Sequence, residues 1–415
     1  MNDMGSLKIV LICAWRNVIS AKHRSLLLML IITVTTFSTV TFIAFSERVF
    51  WGVRESTINS QSGHLQIMKK GYWEHRYSEP ADYLMAGVDE TIELVKANMS
   101  NITVITKRLE FSGLIGRGEN TTIFSGVGVQ PDEDALLSSF DSITSGKSLA
   151  DFAPQEGVMG IGLAEMLNLQ IGEAVLVMAP SVRGALNAVD MKVRGIFQSD
   201  SEDYNARTIK IPLPLASKLM RTNSVSRIVI LLEDTSQTAA AKRTLQHLIQ
   251  KNRWDLIVKD WRELNPSYEK IKDLYSRMFF FLGIVMVVLV AVSVGNTTLV
   301  NVLERTRELA LMRTMGGGRN LLKTIFFTEN LLLSTVGLAL GICAFTLIFG
   351  TINKLNGGIP MPPPPGTSRA VLFALETPWQ YMSQIYIALL TTMFGATALA
   401  MKKISRLEIS SALRR

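Results

Sequence analysis

The sequence predicts a membrane α-helical protein with four transmembrane helices and a large mixed α/β extracytoplasmic domain inserted between helices 1 and 2. Three observations predict it. Four mostly apolar runs, at residues 25–46, 278–300, 324–350 and 382–401, reach the length of about 20 residues that a bilayer-spanning helix needs. The stretch between the first two, residues 47–277, is polar and carries short alternating apolar patterns. Lys and Arg collect in the three segments that fall on one side if all four runs span.

In chain order, residues 1–24 form an amphipathic N-terminal segment with Lys8, Arg16, Lys22 and Arg24. The first run, 25–46, contains Thr33, Thr35, Thr36, Ser38, Thr39 and Thr41. Hydroxyls do not veto a span, because they bond back to the helix backbone or across a helix interface. A cleaved signal peptide is the competing reading, since Lys22, His23 and Arg24 precede the run. The apolar part is longer than a signal core, and no small-x-small site closes it, which favours a retained helix. Runs two and three, 278–300 and 324–350, enclose the loop 301–323 with Arg305, Arg307, Arg313, Arg319 and Lys323. A Pro-rich outer loop, 351–381, leads to run four, 382–401, and the tail 402–415 carries Lys402, Lys403, Arg406, Arg414 and Arg415. Buried core helices are the bland alternative for the last three runs; their length and basic flanks argue against it. The positive-inside rule puts both termini and the loop 301–323 in the cytoplasm. Residues 47–276 hold 26 Lys+Arg against 29 Asp+Glu, and the rest of the chain holds 17 against 6. The net charge of +8 is therefore membrane topology, and no nucleic-acid partner is expected.

The inserted domain reads as strands and helices in mixture. Residues 64–68 alternate like a strand, 102–115 contain two more, and 121–129 another. Residues 156–180 read as strand, helix, turn, strand, with Gly172 closing the helix. Residues 189–198 pair with the last of these as a hairpin, 209–220 give a strand then a helix, and 226–233 a strand. Residues 238–253 form an amphipathic helix, and 260–277 lead into the second membrane run. Cys13 and Cys343 lie outside this domain, so an ordinary core rather than disulfides must hold it.

Chemistry-bearing motifs are scarce. Gly126-x-Gly128 and Gly160-x-Gly162 do not complete a dinucleotide fingerprint, and turns or tight backbone packing explain them. His23, His64, His75 and His247 lack metal-ligand spacing, and no HExxH, GxSxG or CxxC occurs. No GxxxxGK[ST] occurs either, so these residues cradle no ATP by a P-loop. No catalytic residue, cofactor or metal is expected in the chain. Asn98, Asn101 and Asn120 begin Asn-x-Ser/Thr triplets, which matter only in a glycosylating compartment.

The stretch NTTLVNVLERTRELALMRTMGGGRNLLKTIFFTENLLLSTVGLALGI resembles the signature of the FtsX-like, MacB-type family of ABC transporter permeases. The resemblance rests on Asn296, Glu304, Arg305, Arg307, Glu308, Gly316, Arg319 and Glu329. AWRNVISAKHRS, SGHLQIMKKGY, VMGIGLAEMLNLQIGEAV, VRGIF and Trp261-x-Glu263 fit it in the right order, so it covers nearly the whole chain. The layout is closest to the lipoprotein-releasing, Lol-type permeases. Three departures stand out. Gly316, Gly317 and Gly318 replace a Gly-Ala-Ser turn, Ile409 stands where proline is usual, and the hairpin at 180–190 is shorter than the hook of the carrier-recruiting Lol permease.

The resemblance implies a permease subunit in the bacterial inner membrane, driven by a separate ABC ATPase dimer that holds the ATP and Mg. The charged loop is then the docking element. Leu309, Met312 and Met315 share one helical face, and an apolar anchor with a charged rim suits a partner groove. Glu304, Arg305, Arg307, Glu308, Met312, Arg313 and Gly316 are the candidate coupling residues; mere solvation of a membrane loop is the plain alternative. The family implies mechanotransmission, a push on this loop carried along helix 2 to the outer domain. Cargo is implied to be lipoprotein or another amphiphile, with MacB-like export of peptides or small molecules, or FtsX-like signalling without transport, as alternatives. Two permease chains, as a homodimer or a diverged heterodimer, are expected because four helices are too few to enclose a pathway. Thr39, Val292 and Asn296 are the candidates for the cargo and helix interface. Asn296 and Glu329 are intramembrane polar residues, suspects for function by default, though packing or an interfacial position accounts for both. Pro360 and Pro362 to Pro365 read as a stiff spacer between helices 3 and 4.

Overall fold

The computed structural model describes residues 12, 16, 22–76, 80–118, 120–139, 141–149, 154–199, 201–304, 319–361 and 371–404. Helix α1 spans Lys22–Thr57 and ends in a π-turn, Ile58–Ser62. The chain continues through β1 (Leu65–Lys69), α2 (Tyr72–His75), α3 (Val88–Asn98), β2 (Ile102–Arg117), β3 (Asn120–Val129) and α4 (Pro131–Leu137). Next come β4 (Ser142–Gly146), β5 (Glu156–Gly160), α5 (Ile161–Met166), β6 (Ala174–Pro180), β7 (Leu186–Gln198), α6 (Glu202–Arg207), β8 (Thr208–Pro212) and α7 (Leu213–Met220). β9 (Arg227–Leu232), α8 (Thr238–Lys251), β10 (Leu256–Asp260) and α9 (Trp261–Leu264) complete the inserted domain. Three long helices follow, α10 (Pro266–Glu304), α11 (Arg319–Asn356) and α12 (Met382–Ile404), with the paired strands β11 (Ile359–Met361) and β12 (Val371–Phe373) between the last two. The chain divides into a helical unit, residues 1–50, 272–360 and 372–415, and an α/β unit, residues 51–271 and 361–371.

In the helical unit, α1, α10, α11 and α12 are each long and apolar enough to cross a membrane. Helix α1 buries Leu28, Ile32, Thr36, Val40 and Ala44, one residue in every four, which is one stripe of a helix. Helix α11 answers with Leu333, Gly337, Gly341, Phe345 and Phe349 at the same spacing. The hydroxyls of Thr41 and Ser46 donate to the carbonyls of Phe37 and Phe42, each at 2.8 Å. Back-bonding of this kind is what lets a hydroxyl-bearing helix sit in lipid.

The α/β unit is built on one ten-stranded sheet, ordered β10-β1-β9-β2-β3-β8-β5-β7-β4, with β6 pairing β2 and β7. It carries two cores. One gathers β1, β9, β10, α3 and α8 around Ile67, Ile92, Ile230 and Leu245; the other gathers β2, β3, β5 to β8, α5 and α7 around Leu109, Phe124, Met159, Met191 and Leu219. They are called lobe A and lobe B below. Strand β2 belongs to both: Ile102–Arg108 pairs with β9, and Leu109–Arg117 pairs with β3.

Here the structure corrects the sequence reading. Two strands were expected within residues 102–115, and a single 16-residue strand is found. The alternation changes phase at its middle. Val104, Thr106 and Arg108 are buried on one face, then Leu109, Phe111 and Ile115 on the other. A phase change normally marks a new strand; here one strand packs Val104 into a cluster with Ile58 and Leu137 on one face and Leu109, Phe111 and Ile115 into the lobe B core on the other. A second correction concerns α5. Asn168, with φ +51°, turns the chain after the helix, and Gly172, φ +87°, serves the later turn into β6. Gly126 and Gly128 pack as the sequence suggested: a Cβ on Gly126 would lie 2.3 Å from the Phe111 ring, and one on Gly128 2.4 Å from Ala216.

His64 opens β1 and is buried. The Leu232 N–H donates to its Nδ1 at 3.0 Å, which leaves Nε2–H to donate to Thr235 Oγ1 at 3.0 Å. Both ring nitrogens are thus filled by the neutral form. Burial, helped by the Arg54 charge and opposed by Asp234, lowers its pKa to about 4. A base depressed in the folded state takes up its proton only on unfolding, so its stabilisation is complete above about pH 6.5 and is lost as pH falls toward 4. Thermal unfolding of the full chain in detergent, compared at about pH 7 and about pH 4.5, is expected to show a drop that His64→Asn reduces. An identical drop in the variant would remove His64 as a source.

Candidate functional site

The candidate coupling loop is bounded by two helices. Helix α10 ends at Glu304 and α11 begins at Arg319. Arg305, Arg307, Glu308, Met312, Arg313 and Gly316 lie outside the described residues. Helix α10 starts at Pro266, in the N1 position where a missing N–H costs nothing. Before it, Asp260 and Glu263 form a reciprocal capping box on α9, and Lys242 Nζ from α8 reaches Asp260 at 3.0 Å and Glu263 at 2.6 Å. The segment that leads into α10 is therefore tied to lobe A.

The candidate interface residues are spread over two helices. Thr39 is half-buried on α1, while Val292 and Asn296 are exposed on α10. Val292 lines an apolar groove of ≈570 Å³ between α10 and α12, together with Ala291, Gly295, Thr392 and Ala396. None of the apolar window of α10 is buried within the chain, against 22–28% of the windows of the other three helices. Asn296 has no hydrogen-bond partner among the described residues. Polar bonds across helices are made instead by Asn330, whose Nδ2 donates to Thr397 Oγ1 of α12 at 2.6 Å, and by the hydroxyls of Thr335 of α11 and Tyr386 of α12 at 3.3 Å. Glu329 is buried at 6% exposure, well inside α11 and not at its start.

A close contact between α1 and α11 was not foreseen. Gly337 and Gly341 of α11 meet Ile32, Thr33 and Thr36 of α1 so closely that a Cβ on either glycine would fall 2.7 Å from a side-chain carbon. Their Gly-x-x-x-Gly spacing inside an apolar run is the signal that reveals it.

A buried charge cluster in the α/β unit was also not foreseen. Asp134 of α4 accepts from Arg108 of β2 at 2.6 Å and from Lys210 of β8 at 3.3 Å. Lys210 Nζ also donates to Ser138 Oγ at 2.7 Å and Asp141 at 2.8 Å. Arg108, Asp134 and Lys210 are 1%, 6% and 3% exposed, so the cluster is shielded from bulk solvent. Burial alone raises a carboxyl pKa; the Lys210 and Arg108 charges outweigh it and hold Asp134 below the usual range. Burial lowers an ammonium pKa; Asp134, Tyr204 and Asp141 outweigh it and push Lys210 up. Both groups stay charged at neutral pH.

A cleft of ≈510 Å³ opens where β9 leaves β2 and β6 joins it. In it Tyr72 Oη donates to Glu110 at 2.8 Å, and Arg227 pairs with the same carboxylate. Burial and the Glu110 charge push the phenol up, so Tyr72 remains a donor. Among the described residues no cluster of three or more His, Cys, Asp or Glu is placed to hold a metal. The chemistry on display is packing, charge pairing and helix continuity.

The MacB-like periplasmic core domain model matches residues 25–248, more than half of the chain, and the FtsX-like permease C-terminal model matches residues 280–409. The macrolide export ATP-binding/permease protein MacB of Campylobacter jejuni is 22% identical over 84% of this chain and 54% of its own length. The lipoprotein-releasing system transmembrane protein LolC of Neisseria meningitidis is 23% identical over 56% of this chain and 54% of its own. The chain thus spans about half the length of the curated relatives it matches. Among solved structures, the periplasmic region of MacB from Actinobacillus actinomycetemcomitans aligns with 51% of this chain and 94% of its own at 14% identity and a TM-score of 0.38. A MacB-like core domain between the first two of four membrane-length helices, followed by an FtsX-like permease end, means that the chain is a multi-pass membrane protein of the MacB/FtsX-type family of ABC transporter permeases.

Proposed function

We propose that this chain couples ATP hydrolysis in a separate cytoplasmic ABC ATPase dimer to the outward movement of lipoprotein, or another amphiphile, from the bacterial inner membrane. The observation that carries the reading is the helix pair bounding the inserted domain. Helix α1 runs 36 residues and α10 runs 39 residues without a break, nearly twice the length of about 20 that a bilayer needs. At about 1.5 Å per residue each is a rod of more than about 50 Å. A displacement delivered at residues 301–323 then reaches the α/β domain mechanically, and no cargo passes through the membrane core. The excess of Lys and Arg supports a cytoplasmic side for that loop and both termini and a periplasmic side for the α/β domain. ATP and Mg belong to the ATPase.

Replacing Glu304, Arg305 and Glu308 with alanine tests the docking role. Each truncated anchor is expected to cost more than about 1 kcal/mol of ATPase binding. Membrane insertion is retained, while ATPase co-purification or cargo release falls. Unchanged complex yield together with unchanged release would sink the assignment.

The working unit contains two permease chains, identical or diverged. The exposed apolar stretch of α10 supports this, because it leaves a membrane-length face for another helix. Cysteines at Thr39 and Val292, in a background without Cys13 and Cys343, are expected to crosslink between chains and block turnover. An active complex with one permease per ATPase pair, weighed by native mass measurement, would exclude the arrangement.

A second reading, export of peptides or small molecules from the periplasm, is favoured by the MacB relative, which covers 84% of the chain against 56% for LolC. Reconstitution separates the two. Lipoprotein released from proteoliposomes supports the first, and export of a soluble compound with no release supports the second. ATPase-dependent change in the α/β domain with neither leaves an FtsX-like signalling role.

A further inference from the structure

Helix α4 is only seven residues long, yet it touches three parts of the α/β unit. Its N-cap residue, Gln130, accepts the Lys107 N–H of β2 at 2.9 Å. Its Asp134 takes the Arg108 guanidinium at the seam where β2 passes from lobe A to lobe B, and the Lys210 ammonium from β8 inside lobe B. Ser138 and Asp141, just beyond the helix, close around the same ammonium. Its Leu137, fully buried, sits in a separate apolar cluster with Ile58, Val104, Val229, Leu231, Trp261 and Tyr268, flanked by Val53. That cluster contains the last turns of α1, the first turn of α10 and the lobe A strands. The Trp261 and Tyr268 rings meet edge to face at 4.8 Å within it.

One short helix therefore holds the ends of α1 and α10 by a leucine and lobe B by a carboxylate. The two kinds of contact differ in what they resist. An apolar cluster is non-directional and holds position; a buried, balanced ion cluster is directional and fixes orientation. Besides α4 the lobes share strand β2 and the partly buried Leu213 of α7, which packs against both cores; a single strand flexes and twists, and one apolar side chain fixes no orientation. With α4 in place, rotation of lobe B about β2 must break the Asp134 to Lys210 contact or pull Leu137 from its cluster.

We propose that α4 is the strut that makes lobe B follow the ends of α1 and α10, with Leu137 and Asp134 as its two attachment points. The strut is a property of the folded chain. Its use in moving cargo rests on the transport reading above.

Distance measurement between paired spin labels on the full chain in nanodiscs tests it. Cysteines replace Lys270 and Ile123 to read α10 against lobe B, or Lys270 and Gln246 to read α10 against lobe A, both without Cys13 and Cys343. Wild type is expected to give one narrow distribution for each pair. Leu137→Ala cuts one attachment, and the double variant Asp134→Asn/Lys210→Met cuts the other without stranding a single charge. In both, the α10 to lobe B distribution broadens or splits while the α10 to lobe A distribution stays narrow. Near-wild-type circular dichroism and elution identify the folded variant on which the measurement counts, and either variant suffices. A lobe B distribution as narrow as wild type in a folded variant would overturn the strut. Broadening with full cargo release would leave the strut standing and count against the mechanical transport reading.

Discussion

Gly341→Leu is expected to separate α1 from α11. A Cβ at this position would lie 2.7 Å from Thr36 Cβ and 2.9 Å from the Thr33 carbonyl oxygen, so even alanine clashes with backbone. At Gly337 the corresponding approach is 2.7 Å to Ile32 Cγ2 and 3.3 Å to the Met29 carbonyl. Membrane helices gain little from excluding water against one another, so their association depends on such close approach. Overpacking costs about 1–3 kcal/mol where a core can shift. Here the facing atoms include the α1 backbone, so the upper end or beyond is expected for leucine, and more for Gly337→Leu with Gly341→Leu. Gly350→Leu is the control, because nothing lies within 4 Å of a Cβ there. Thermal unfolding in detergent reads the result. Equal melting of Gly341→Leu and Gly350→Leu would remove the glycines from the account of the helical unit.

Lys210→Met is expected to be the most damaging single change in the α/β unit. It leaves Asp134 with Arg108 as its one cation and Asp141 without its ammonium, in a space shielded from bulk solvent. Removing one partner of a buried pair costs about 3–5 kcal/mol, because the charge left behind is neither solvated nor paired. The double change Lys210→Met/Asp134→Asn is expected to recover much of the loss, since it removes one charge of each sign. Denaturant unfolding followed by Trp254 and Trp261 fluorescence measures both. The acid side follows from Asp134. Its depressed carboxyl stabilises the fold above the unfolded value near 3.9, and that contribution is lost as pH falls through the folded value. The raised Lys210 behaves oppositely, stabilising below about pH 10.4 and failing only in strong alkali. A single variant as stable as the double would show that the ammonium carries no net load.

Much of this fold was legible because its signals are local. Four apolar runs and the alternating stretches at β1, β3, β6, β7, β8 and β9 are read from a few neighbouring residues. What escaped was non-local or broke a local rule. Arg108, Asp134 and Lys210 look like three solvated charges in sequence, and only the pairing of β3 with β8 brings Lys210 to α4. β2 was read as two strands because its burial pattern shifts phase without a turn, and β10 escaped because Leu256–Asp260 is short and charged. In the membrane helices, Gly337 and Gly341 look like weak points of a helix until the partner that needs their bareness is known. For the candidate site the balance reverses. The motif at residues 304–316 is sharp in sequence, whereas Asn296, singled out with it, lies exposed, and bonds between helices join Asn330 to Thr397 and Thr335 to Tyr386.

The glycine contact has a consequence for biosynthesis. The first helix leaves the ribosome nearly 300 residues before Gly337 and Gly341 exist. At roughly 5–20 residues per second, α1 waits on the order of 15–60 seconds in the bilayer while the whole α/β domain is translocated. During that interval it has lipid, not α11, against its future contact face. Thr41 and Ser46 already bond the Phe37 and Phe42 carbonyls of the same helix, so this helix carries part of its polar satisfaction with it. The Thr33 and Thr36 hydroxyls, on the face that meets the glycines, have no hydrogen-bond partner among the described residues, so that face is the part of the helix left waiting for its glycine-bearing mate.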